Sequence, residues 1–279
     1  MQRVTVVIGM LCLSVTSQAT GPSPVAPAAP VLLPAYAHND YENQRPLSDA
    51  LDLGYRGVEV DYYVVDGELR VGHDIDRLRP GRTLEALYLV PLRERVARLG
   101  SVCADGSVFT LDIESKEPGA HAYQALHDLL SGYADILTIV RDGEETPGAV
   151  QVVLVGWHPS LDELSRQRVR FVSVHAHFDD LPENHAVYPS HLLRMISVEY
   201  RAQFTWRGGR RVPRRFDRRL LAVLAARDAV PGRIVRVFRV PGSIHVYRAL
   251  VRGGVDLIGT KTLAKSHEML REIHAETAR

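Results

Sequence analysis

A chain of 279 residues, 46% hydrophobic and 24% charged, has the composition of an ordinary globular protein with one large core or two small ones, which excludes a chain disordered throughout. Its formal net charge of +1 excludes action through total charge. With no helix-turn-helix, zinc-finger or RNA-binding motif, nucleic acid is not an expected partner.

At the N-terminus, Arg3 precedes a mostly apolar run from Val4 to Val15, and Ser17-Gln18-Ala19 places small residues where a signal peptidase reads them. Residues 1–19 therefore read as a signal peptide, since the run falls short of the roughly 20 apolar residues a span needs. An uncleaved anchor is the alternative. The expected location is secreted or extracytoplasmic, in the periplasm or cell envelope. Cys12 lies in this segment, which leaves Cys103 as the one cysteine of the mature chain and rules out an internal disulfide. Residues 20–34, with the run GPSPVAPAAPVLLP, read as a Pro/Ala-rich linker, and 35–279 as a single domain, expected to be monomeric.

Eight β-rich runs follow at 31–38, 57–65, 108–115, 150–156, 169–175, 195–200, 233–240 and 255–259. Helical patterns lie between them, among them 46–53, 92–99, 120–130, 217–226, 244–252 and 263–276. Repeated βα units over about 250 residues predict an α/β fold, a (β/α)8 TIM barrel with eight helices. A doubly wound open sheet is the rival, but no GxGxxG or P-loop pattern supports it.

In a barrel the polar residues at the carboxyl ends of strands converge at one mouth. In VFTLDIESK the two-residue period puts Phe109, Leu111 and Ile113 on one face and Thr110, Asp112 and Glu114 on the other. The same alternation sends Val58, Val60 and Tyr62 outward and Glu59 and Asp61 inward. Glu59, Asp61 and Glu114 would repel one another and lose hydration unless a cation joins them. Hard oxygen ligands in this number suit one divalent metal, Mg²⁺ or Ca²⁺. The alternative is an ion-pair network with Lys116 and a nearby arginine. His38 follows the first strand, and His73 follows the return strand of a hairpin turned by Asp66-Gly67. Two histidines around a carboxylate trio fit an acid/base pair, with Lys116 neutralising a substrate anion, as phosphoryl transfer requires.

The motifs AHNDYENQRPLSDAL, GYRGVEVD, DGELRVGHD, TLEALYL and LDIESK resemble the superfamily of phospholipase-C-like phosphodiesterase barrels, which includes glycerophosphodiester phosphodiesterases. They are most similar to the branch named for altered inheritance of mitochondria protein 6. The resemblance extends to RALVRGGVDLIGTKTL near the C-terminus. It implies a metal-dependent phosphoric diester hydrolase, or a cyclising phosphodiesterase, acting on a phospholipid-derived or similar diester. It further implies His38 and His73 as acid and base, Glu59, Asp61 and Glu114 as metal ligands, and Lys116 on the phosphate. Departures bear on substrate: Asn39 stands where an arginine is usual, Phe238 where tryptophan is frequent, and Lys261 where aspartate is common. No room exists between His73 and Thr83 for a small inserted domain.

Rival signals remain. His175-Ala176-His177 would be a metal pair in an amidohydrolase-type hydrolase, although there such a pair belongs on the first strand. As alternatives within the phosphodiesterase reading, His175, His158 and Asn39 line the pocket and bind substrate. A secreted barrel that binds phosphorylated ligands without turnover is the other class. Finally, Arg207 to Arg219 holds seven arginines against one aspartate, either a solvated surface or a dock for an anionic membrane.

Overall fold

The structure, a computed structural model, describes residues 31–277; the expected signal peptide and most of the linker lie outside the described residues. Eight parallel strands form the barrel: β1 (Leu33–Ala37), β2 (Tyr55–Val65), β3 (Phe109–Ser115), β4 (Val150–Gly156), β5 (Val172–His177), β6 (Leu193–Glu199), β7 (Ile234–Phe238) and β8 (Leu257–Thr260). Each pairs with its neighbours, and β1 pairs with both β8 and β2, which closes the sheet into a (β/α)8 barrel. Closure removes the open edges from these strands, so each has a hydrogen-bonding neighbour on both sides. Among the described residues, no helix is long and apolar enough to cross a membrane.

The strands form where the sequence is β-branched and aromatic, because both of their faces are buried, one under helices and one inside the barrel. Helices at Val90–Leu99, Ala120–Ser131, Arg214–Asp228, Ile244–Gly253 and Leu263–Thr277 cover the outside, with shorter ones at Ser48–Asp52 and Leu161–Ser165. The last was not apparent from periodicity; its start is fixed by a reciprocal pair of bonds between Ser160 and Glu163. Cys103 is buried in the same core.

Two expectations are corrected. Val169 and Arg170 belong not to the fifth barrel strand but to a small antiparallel sheet with Ile139–Arg141 and Glu144–Thr146. Arg170 is buried there because its guanidinium donates to the carbonyls of Leu164, Val172 and His191. The expected eight helices are present in number among the described residues, counting the short Tyr200–Gln203, but they do not fall one after each strand. Between β5 and β6 stands only a 3-10 turn, Phe178–Asp180. Pro182 and Pro189 interrupt that stretch, and it lacks a run of apolar residues at helical spacing.

The barrel interior is layered. At the bottom, Tyr36, Val153, Met195 and Leu257 form an apolar plug separate from the outer core. Above it the Tyr36 hydroxyl meets a buried ionic layer of Glu59, Asp112 and Arg236, each 2% exposed or less. Above that, Asp61, Glu114, His38 and His175 reach the mouth. The β2–β3 register sets this order, pairing Glu59 with Asp112 and Asp61 with Glu114. Gly57 is required below: a Cβ there would lie 2.9 Å from the Thr110 carbonyl.

Candidate active site

The carboxylates Glu59, Asp61 and Glu114 each bring one oxygen within 4.8 Å of the others. Register alone explains this, since Asp61 and Glu114 are ladder partners and Glu59 is one inward position lower on β2. Gly156 leaves the space Glu114 occupies, because a Cβ at that position, where φ is +72°, would lie 3.0 Å from Glu114 Cγ.

The electrostatics of the cluster are incompletely balanced. Burial alone would raise the Glu59 pKa, but the contact from His38, the charge of Arg236 and the Tyr36 hydroxyl hold it down to about 2. Arg236 Nη1 lies 3.3 Å from Glu59 Oε2 and 3.1 Å from Asp112 Oδ2. Complete burial pushes Asp112 up to about 7 despite Arg236 and a 2.5 Å hydrogen bond donated by Tyr36. Burial also raises Glu114, with Asp61 adding to the shift. Lys116 Nζ lies 3.1 Å from Glu114 and 3.5 Å from Asp61. Burial by itself would lower the Lys116 pKa, yet those two carboxylates raise it.

The three cluster carboxylates thus face two cations, Arg236 and Lys116. The ion-pair network weighed as the alternative is present, and the three carboxylates also lie close enough to share one ion. Asp61 Oδ2 accepts from Tyr41 at 2.7 Å and faces His73, while the fully buried Asp61 Oδ1 has no partner. An orphaned, buried carboxylate oxygen is costly unless a cation meets it. The donor set is all oxygen, and Arg236 is shared with Asp112, so the cluster is short of positive charge and its residues fit a hard divalent ion such as Mg²⁺ or Ca²⁺.

Both histidines sit on this cluster through the same ring atom. His38 Nδ1 is 2.8 Å from Glu59 Oε2, a close contact off the hydrogen-bond axis, and its backbone amide donates to Thr260 of β8. Phe238 stacks beside the imidazole with planes 5° apart. His73 Nδ1 is 2.9 Å from Asp61 Oδ2. The hairpin delivers it: β2 returns through Asp66-Gly67, both at positive φ, into the antiparallel segment Glu68–Val71. With Nδ1 facing a carboxylate, Nε2 is the ring nitrogen left for substrate. His38 is 27% exposed and His73 55%, and both line the same cavity of about 620 Å³.

The remaining expected residues divide. Asn39 is buried in the left-handed conformation that asparagine tolerates, donates to Glu42 at 3.0 Å, and lines the cavity. His158, with Nδ1 2.6 Å from the Pro159 carbonyl, and His175 line a second cavity of about 460 Å³ that shares His38, Glu59 and Glu114. His175 is buried, with Nδ1 3.0 Å from Ser197 Oγ. Burial, reinforced by Arg236, pushes it down to about 3, so it works as a neutral ring. Its ring and that of His177 are 5.1 Å apart, but among the described residues the carboxylate trio is the one group of three metal-capable side chains, so the HxH pair lacks a third ligand.

Sequence reasoning missed Tyr36, Asp112 and Arg236 as parts of the site. The alternation applied to β2 and β3 would have found them: Ile234, Arg236 and Phe238 share the inward face of β7, and Tyr36 lies two before His38. Asp40 was also missed. Buried, it accepts from the Leu47 amide and the Tyr88 hydroxyl and so shapes the loop after His38.

Comparison with known proteins adds the following. A family model described as the AIM6-like phosphodiesterase domain matches residues 28–174, which ends at β5, short of the extent the motifs suggested. An altered inheritance of mitochondria protein 6 homolog from Arthroderma benhamiae is 28% identical over 154 residues, covering 46% of this chain and 48% of that protein. The chain thus spans about half the length of the curated relative it matches. Among solved structures, a glycerophosphodiester phosphodiesterase from Agrobacterium tumefaciens is similar at 18% identity and TM-score 0.48, over 84% of this chain and 98% of that one. A mutant tryptophan synthase alpha-subunit from Pyrococcus furiosus is similar at 12% identity and TM-score 0.47, over 88% and 97%.

Proposed function

The chain belongs to the AIM6-like phosphodiesterase domain family, and from that premise we propose that it is a metal-dependent phosphoric diester hydrolase, or a cyclising phosphodiesterase, working by paired histidines. One observation carries the reading: two imidazoles sit at 2.8 and 2.9 Å from carboxylates of one buried acidic cluster and line one cavity. Nδ1 of His73 donating to Asp61 fixes that ring's tautomer, and the Glu59 carboxylate beside His38 Nδ1 leaves Nε2 of that ring for substrate. One histidine takes the proton of the attacking hydroxyl or water. The other gives a proton to the departing ester oxygen, and the pair exchanges protonation states over the reaction. Lys116 supplies a fixed positive charge beside the phosphoryl oxygens, and Phe238 keeps the His38 ring in place. Glu59, Asp61 and Glu114 would hold one divalent ion, whose role when bound is to offset the charge growing on the phosphoryl group.

The test is hydrolysis of bis(p-nitrophenyl) phosphate by the purified protein with Mg²⁺, Ca²⁺ or EDTA, together with a phosphorus NMR screen of natural diesters. A cyclic phosphate in that screen identifies an internal hydroxyl as nucleophile, and direct monoester formation identifies water. Absence of metal-dependent turnover on every diester would leave the ligand-binding barrel as the correct reading.

Export and membrane contact belong to the same proposal. Support for export is the apolar run Val4 to Val15 ahead of Ser17-Gln18-Ala19. Support for contact with an anionic membrane is that Arg207, Arg210, Arg211, Arg214, Arg215 and Arg218 are exposed, with no carboxylate within ion-pair distance among the described residues. They lie in and after the connection that follows β6, on the side where β strands deliver the mouth. Sedimentation with phosphatidylserine vesicles, lost on replacing four of these arginines by serine, is the expected result; equal sedimentation by both proteins would remove this part.

A further inference from the structure

The cavity of about 620 Å³ is much larger than a phosphoryl group. Besides the histidines and the carboxylates, its lining includes the segments after β7 and β8, which present Arg239, Lys261 and Lys265, cations for which the hydrolysis above has no use.

These cations are not committed to strong partners. Among the described residues Lys265 has no carboxylate within 4.0 Å. Lys261 reaches only Glu42, at 3.4 Å, with both side chains about half exposed. Arg239 meets Glu199 at 3.0 Å, with its own side chain 68% exposed. Exposed pairs of this kind are weak and yield to a competing anion. Lys265 reaches back over the preceding loop, its Nζ 3.4 Å from where a Cβ on Gly242 would stand. The same cavity is lined by three buried hydroxyls bonded to one another, Thr260 to Ser266 at 2.7 Å and Ser266 to Tyr247 at 3.0 Å, polar but uncharged. The segments after strands 7 and 8 are also where barrels of this type frequently hold phosphate.

Resting on the phosphodiesterase reading, we infer that this part of the lining is a second anion subsite and that the substrate is a diester carrying a further anionic group, a phosphomonoester or a carboxylate, on one ester arm. The subsite sets substrate choice; it takes no part in bond making. Lys261 and Lys265 select for the second anion.

Three p-nitrophenyl phosphodiesters test this, with ethyl, 2-carboxyethyl or 2-(phosphonooxy)ethyl as the second arm. The native protein is expected to favour one or both charged arms over ethyl by about tenfold in kcat/KM, expressed in KM, as two partly exposed charged contacts would give. K261M/K265M is expected to bring that ratio near one. The more favoured charged arm identifies the source of the anion. A native ratio of one, or a preference that survives in K261M/K265M, overturns the inference. Calorimetric binding of 2-(phosphonooxy)ethyl methyl phosphate is read in parallel. If no diester is turned over, hydrolysis fails as a function, yet about tenfold tighter binding by the native protein than by K261M/K265M still supports the subsite. Equal binding by the two proteins rejects it.

Discussion

Replacing Arg236 by methionine isolates what the ionic layer contributes. The guanidinium is buried, donates to Tyr36 at 2.8 Å, and stands 3.1 and 3.3 Å from Asp112 and Glu59. Methionine fills much of the same volume but leaves two carboxylates in the barrel without their cation. Removing one partner of a buried ion pair costs about 3–5 kcal/mol. Asp112, already pushed up to about 7, takes a proton readily, which places the expected loss near the lower figure, about 3 kcal/mol. Against a stability of roughly 5–15 kcal/mol that is a large fraction. It corresponds to a fall in Tm of roughly 6–12 °C for a domain of this size. The assay is urea unfolding at pH 7 in EDTA, so that metal binding does not contribute. D112N/R236M removes one of the two carboxylates left behind and is expected to recover about 1–3 kcal/mol relative to the sum of the single changes. An R236M loss under about 1 kcal/mol, or strict additivity in the double variant, would refute the ionic-layer account.

Other outcomes follow from the same geometry. His38→Ala and His73→Ala should each lower kcat by about 10²–10⁴ while leaving the unfolding midpoint nearly unchanged. The histidine that protonates the leaving oxygen is the one whose loss is milder with p-nitrophenolate than with an alkoxide leaving group; equal losses on both would remove the division of roles. Mg²⁺ or Ca²⁺ should raise the native Tm, and Asp61→Asn should abolish that rise, because the orphaned Oδ1 is lost as a ligand; a rise retained in the variant would move the metal elsewhere. His175, held down to about 3 by burial, is neutral in both folded and unfolded protein above about pH 6.5 and has no effect there. As pH falls below that value the unfolded chain takes the proton and the folded one does not. Stability is then lost at up to about 1.4 kcal/mol per pH unit, and urea midpoints at pH 7.5, 6.0 and 5.0 should decline less steeply in His175→Gln. Parallel declines would show that the ring is not desolvated.

The site was legible in the sequence where it is local in the chain. Two-residue alternation on β2 and β3 sorts Glu59, Asp61 and Glu114 onto one face, and the Asp66-Gly67 turn brings His73 back to Asp61. Parallel register then needs only neighbouring strands. What escaped depends on contacts across the barrel: Arg236 is 177 residues from Glu59, and no short-range pattern announces that one strand's cation answers another's carboxylate. His175 and His177 looked like ligands because spacing records position without burial, and burial is what makes His175 a neutral wall of the pocket. The missing helix after β5 was expected because a regular βα rhythm was carried through a segment whose prolines oppose it.

The family match ends at residue 174, before β6, yet the buried layer beneath the site crosses that boundary. The chain through β5 contains the two histidines proposed as acid and base and the three candidate metal ligands. The guanidinium that makes the lower carboxylates tolerable, and the phenyl ring beside His38, come from β7. A fragment cut after β5 would therefore hold the reactive groups in a half-cylinder with its polar interior opened to water and its carboxylates mutually repelling. Supplying residues 178–279 as a separate chain should restore both shape and charge balance together, because one strand carries both. In this sense the reactive half of the barrel is conditional on the other. The order of synthesis then matters: the acidic layer leaves the ribosome first and must wait for Arg236 before it can close.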